Sequence, residues 1–177
     1  MNLIKELQKG FGKPTCDRIV AYIGNDQERF SALVEAFLNG GHRVAQRAAW
    51  PLGYSVKKHP GLVKPHLRQI IQNLDQPHIH DAVKRNTVRF LQFIEIPKPL
   101  HGATWGHCTR LLQDKKSPVA IKVFSMSVLA NLAMEYPALK RELATIIEDQ
   151  MPYGSPGFVS RGKKVLKNLG GVGRISP

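Results

Sequence analysis

Four segments of this chain superimpose at near-constant spacing. They begin at Val44, Val83, Ile121 and Phe158, at intervals of 39, 38 and 37 residues. Four residues into each segment stands something small: Ala48, Thr87, Ser125, Gly162. Eight residues in, each carries leucine: Leu52, Leu91, Leu129, Leu166. Eleven residues in come Ser55, Ile94, Leu132 and Leu169. Offsets 0, 4, 8 and 11 fall on one face of a helix of period 3.6. A repeat near forty residues built from helices predicts an all-α solenoid, in which each unit buries its apolar face only by stacking on its neighbours.

The rest of the chain divides into helical pairs in step with that period. The stretch from Asn25 to Gly40 carries Phe30, Leu33, Val34, Phe37 and Leu38 on one stripe, with Asn25 and Glu28 as a capping box and Gly40–Gly41 as its stop. Residues 42–58, 62–74, 80–94, 99–112, 118–133, 138–149 and 156–169 read as further helices. Ser117-Pro118 and Ser155-Pro156, 38 residues apart, place Ser at the N-cap and Pro at the first helical position. Residues 3–7 and 18–23 form a shorter pair, expected of a capping unit. The expectation is one domain over residues 1–169 and a mobile tail from 170 to 177. No alternating run with hairpin residues marks a strand.

Charge is the unusual part of the composition. Lys plus Arg number 26 against 13 Asp plus Glu, a formal net charge of +13, so acidic partners are attracted. The two cysteines, Cys16 and Cys108, form no CxxC pair, which fits a reducing compartment. The amino terminus has no signal-peptide apolar core, and the longest uncharged, mostly apolar stretch, residues 123–134, is too short to span a bilayer. These features predict a cytoplasmic protein.

The segments HPGLVKPHLRQIIQNL at 59–74, HDAVKRNTVRFLQFI at 80–94 and SPVAIKVFSMSVLANLA at 117–133 resemble the HEAT-repeat family within the armadillo-like class. Pro65 stands as the internal proline of a first helix, and Val83-Lys84 and Ile121-Lys122 as the apolar–basic pair of second helices. The resemblance covers roughly residues 26–169 and implies a right-handed α-α superhelix of about five helical pairs, with second helices lining a concave surface. Two departures stand out: Pro51 inside a second helix, where a kink or an early end is expected, and Phe158-Val159 without the basic residue.

On those second helices the candidate macromolecule-binding residues are Arg43, Arg47 and Trp50, then Lys84, Arg85 and Arg89, then Lys122, then Arg161, Lys163, Lys164 and Lys167. Arg43 to Arg47 and Arg85 to Arg89 are spaced i, i+4, so each pair projects from one face. No acidic residue lies between Glu35 and Asp75. Guanidinium groups suit carboxylate or phosphate. The competing readings are solvated helix faces, or arginines paired with Asp75, Asp81 or Asp114. Trp50 beside Arg47 reads as a partly buried packing residue between helices, or as a ring that stacks on a base or clamps a partner side chain, and Trp105 as core or convex surface.

Signals for chemistry are weak. His78, His80, His101, His107 and Cys108 lack convergent metal-ligand spacing and read as cap and surface residues. Asp81 opens a helix, where a carboxylate favours the dipole. No GxSxG, P-loop or HExxH pattern occurs, and the GGVGR at 170–174 follows no strand. Some HEAT-like bacterial proteins are alkylpurine DNA glycosylases that hold damaged duplex in a basic concave face. Their aromatic and aspartate set does not map residue by residue onto this chain, so that analogy supports DNA binding rather than base excision. The sequence thus predicts a monomeric, non-catalytic scaffold with no cofactor or metal. It engages an acidic macromolecule and no membrane, with protein slightly ahead of nucleic acid.

Overall fold

In the computed structural model, residues 1–170 are described. They are helical throughout, with no strand among them. The ten α-helices are α1 (Leu3–Lys9), α2 (Lys13–Ile23), α3 (Gln27–Asn39), α4 (His42–Lys58), α5 (Leu67–Gln72), α6 (Asp81–Leu91), α7 (His101–Gln113), α8 (Val119–Glu135), α9 (Pro137–Gln150) and α10 (Pro156–Gly170). Short 3-10 turns precede α5 and α7 and follow α5 and α9. The expected tail lies outside the described residues, except Gly170, which ends α10.

The chain divides into two compact units, Met1–Glu95 and Ile96–Pro177. In the first, α4 is the central element: it packs on its own first helix α3 and against the second helices α2 and α6. In the second, α8 packs on α7, α9 and α10. The repeat positions explain this. Ala48, Thr87 and Ser125 are fully buried, and Leu52, Leu91 and Leu129 with them. Gly162 is buried too, and a Cβ there would stand 2.8 Å from Met151 Sδ and 3.1 Å from Ile147 Cγ2, so a larger residue would require those side chains to shift. Leu166 is half-buried, and Leu169 covers the stripe in its place.

Several boundaries differ from the sequence expectation. Asp26, not Asn25, caps α3, its carboxylate accepting from the Arg29 amide at 3.0 Å. The helix expected at 62–74 is broken into a 3-10 turn over Pro60–His66, the short α5 and a second 3-10 turn, because Pro60 and Pro65 donate no backbone hydrogen bond. Pro118, not Ser117, is the N-cap of α8, and the Ser117 hydroxyl donates instead to Asp114. Ser155 behaves as expected, facing the Phe158 amide at 3.4 Å. Pro51 does not end α4, which runs on to Lys58. The buried face of Ala48, Ala49, Leu52, Ser55 and Val56 holds the helix across the missing N–H.

The N-terminal pair is tied by charge. Arg18 donates to Glu6 Oε1 from Nη2 at 2.6 Å and from Nε at 3.1 Å, and Lys9 stands 3.4 Å from Oε2. The Arg18 hydrogen bond holds the Glu6 carboxyl below its usual value of 4.5. A lowered folded pKa means the pair stabilises the fold above the unfolded value and loses that effect as pH falls through the folded one. Amide exchange in α1 should therefore rise on acidification below pH 4.5, before exchange in α4 does. In the core, Leu129→Ala should cost about 2–5 kcal/mol in chemical denaturation, since Leu129 is fully enclosed.

Candidate functional site

The six candidate residues of the first unit lie on α4 and α6, which run side by side in the same direction. His42 meets His80 at one end, with ring centroids 4.9 Å apart, and further along Tyr54 meets Arg89. Arg43, Arg47, Trp50 and Tyr54 follow one another at helical spacing along α4. Arg85 and Arg89 do so along α6.

Their environments differ. Arg43 and Arg85 are exposed, with no hydrogen-bond or ion-pair partner among the described residues. The Arg89 guanidinium lies over the Tyr54 ring, 5.4 Å from its centroid, a cation–π contact that leaves its charge uncompensated. Lys84 is the one candidate here that meets a carboxylate, Asp81, at 3.5 Å. No candidate arginine pairs with a carboxylate among the described residues.

Arg47 is committed elsewhere. Its Nη1 donates to the carbonyls of Leu7 at 2.9 Å and Gln8 at 2.8 Å, in the last turn of α1. Those oxygens have no intrahelical donor, and the cation suits the negative end of the helix. Arg47 is thus a strut between α4 and α1 rather than a free guanidinium.

Trp50 is half-buried and belongs to a row of rings. Phe11, in the loop between α1 and α2, stands with its centroid 5.7 Å from Trp50. Tyr54 lies 6.1 Å beyond, edge-on. The Trp50 indole, followed by the Arg89 guanidinium, lowers the Tyr54 phenol below its usual range, because both favour the phenolate. Phe11 and Tyr54 were not among the sequence candidates. Tyr54 was discoverable, seven residues after Arg47 on the same helical face. Phe11 sits between two glycines in a segment read only as a cap, and no periodicity points to it.

In the second unit, Arg161 donates to Ser127 Oγ at 2.7 Å, joining α10 to α8, and Lys122 donates to Gln150 Oε1 at 3.1 Å. Lys163, Lys164 and Lys167 are exposed on the side of α10 opposite Phe158, Gly162 and Val165. These residues therefore comprise two structural contacts and a solvated lysine face.

The histidines correct the cap-and-surface reading in part. His80 does cap α6, its Nδ1 accepting from the Ala82 amide at 2.9 Å. His101 and His107 are buried instead. His101 bridges the Tyr136 hydroxyl at 2.8 Å and the Ile96 carbonyl at 2.6 Å, and His107 meets Arg110 at 3.0 Å. Among the described residues no group of three or more His, Cys, Asp or Glu converges to hold a metal ion. Trp105 is half-buried on α7. None of the described helices is long and apolar enough to cross a membrane.

Burial pushes the Cys16 thiol up to about 11 and the Cys108 thiol up to about 12. Both are protonated at neutral pH and poor nucleophiles. A thiol reagent at pH 7 should label the native protein slowly at both positions and rapidly once denatured, as read by mass spectrometry.

The comparisons agree with the helical architecture. A family model described as a HEAT repeat domain matches residues 3–169. No match to the chain was found among curated proteins or among solved structures. Repeats of this family generally serve as protein-interaction scaffolds and are typically not enzymes. With its family model spanning nearly the whole chain, from α1 to the end of α10, this protein belongs to the HEAT-repeat family.

Proposed function

We propose that this protein is a non-catalytic binding scaffold that docks an acidic segment of a partner protein on the α4–α6 face of its first unit. The observation that carries this reading is the state of the arginines. Arg43, Arg85 and Arg89 have no carboxylate partner, and Arg89 lies over the ring of Tyr54, which in turn meets Trp50. Unpaired guanidinium groups next to aromatic side chains have the composition of interface hot spots. The excess of 26 basic over 13 acidic residues draws acidic surfaces from a distance. Charge alone serves nucleic acid equally well. The general role of the family as protein scaffolds tips the choice to protein. Arg47, Arg161 and Lys122 already hold internal partners and take a smaller part in docking.

The test is fluorescence anisotropy across a salt series with labelled polyglutamate and with labelled duplex and single-stranded DNA. Polyglutamate should bind at low salt, and Arg85→Glu with Arg89→Glu should weaken it about tenfold or more. Unchanged affinity in that double variant would remove α4–α6 as the docking face. DNA binding much tighter than polyglutamate, with log K falling linearly in log salt, would assign the face to nucleic acid.

A further inference from the structure

We propose that the loop of residues 10–12 is the apolar anchor of this docking face, on which Phe11 packs against one large apolar side chain of the acidic partner segment. The inference rests on the reading of α4–α6 as an acidic-partner surface and adds what kind of acidic segment it selects.

Phe11 is 61% exposed, a large hydrophobic ring left in water. It is nevertheless not a loose side chain. One side of the ring is propped against Trp50. Arg47, one turn before Trp50 on α4, binds the carbonyls of Leu7 and Gln8, so the same helix that presents the tryptophan clamps the segment leading into the loop. On the other side of the loop α2 begins at Lys13, and the Arg18–Glu6 pair locks α2 to α1. Both ends of a three-residue loop are thereby fixed, and its central ring is presented at a set position. Such ordering before binding lowers the entropic cost of using the ring as a contact.

The hollow bordered by Leu7, Phe11, Thr15, Cys16, Trp50 and Pro51 has room for about one water molecule. A ligand side chain therefore packs over the ring instead of entering a pocket. A run of carboxylates alone would satisfy Arg43, Arg85 and Arg89 and leave Phe11 in water. A segment that combines carboxylates with a leucine-like side chain satisfies both. Phe11 is then a contact residue and Arg47 a positioning residue that acts through the loop.

The experiment uses the full chain carrying Trp105→Phe, which leaves Trp50 as the single tryptophan. Two short peptides are titrated, one of glutamate and glycine, the other identical but for a central leucine. The leucine peptide should bind about tenfold tighter, the gain expected from covering one apolar side chain and the ring it meets. It should also shift Trp50 emission more than the plain peptide does. Phe11→Ser should abolish the preference, so that the two peptides bind the variant equally. Arg47→Ala should reduce the preference and Arg47→Lys partly restore it, a split between peptides that general loss of stability would not produce. Equal binding of the two peptides, or a preference that survives Phe11→Ser, overturns the anchor and leaves the acidic docking face standing. Failure of both peptides to bind overturns the docking reading and the anchor with it. Preferential binding of single-stranded oligothymidylate, weakened by Phe11→Ser, overturns the proposal in favour of base stacking.

Discussion

Within each unit the structure depends on how closely packed helices approach, and small buried side chains permit that approach. Ala48, Thr87, Ser125 and Gly162 occupy equivalent places in their units, and all are enclosed. A helical repeat cannot cover its whole apolar stripe alone, so packing within the pair and packing on the next repeat both contribute to burial. At Gly162 the close fit is visible in atoms, since a Cβ would press on the side chains of Met151 and Ile147, which belong to α9 and the turn after it. Within the first unit the same approach brings α4 and α6 together and thereby makes a face from residues that are far apart in the chain.

Charge on that face is not equivalent to available charge. Arg43, Arg47, Arg85 and Arg89 look alike in sequence and are regularly spaced. Folding separates them. Two stand exposed in water, one lies over a tyrosine ring, and one is bonded to two backbone carbonyls of α1. The cause is distance along the chain. Arg47 and Leu7 are 40 residues apart, and nothing local in either segment announces the contact. Arg161 in the second unit repeats the lesson with Ser127, 34 residues away.

The N-terminal pair gains weight from the same contact. As a short, atypical unit it has the look of a cap that protects the end of a stack. The bond from Arg47 also ties it to α4, the pairing of Arg18 with Glu6 joins its two helices, and Phe11 between them packs on Trp50. An exposed ring held at both ends of its loop differs physically from a frayed terminus, where the same side chain would sample many positions.

The sequence by itself determined the helical class, the number of pairs and the buried positions of most repeats. A period of 3.6 within a period near 38 can be satisfied only by stacked helices, and small and leucine positions recur in step with it. It also identified α4 and α6 as carriers of the basic residues. Local details that depend on competing partners were not legible: Asp26 displaced Asn25 as cap, Pro118 displaced Ser117, and prolines broke the helix at 62–74. Only the tertiary structure decided which arginines remain unpaired, that Tyr54 and Phe11 extend the tryptophan into a row, and that His101 and His107 are core residues. Each of these is a contact across tens of residues or between separate helices, and a one-dimensional pattern records which face a side chain takes but not what stands opposite it.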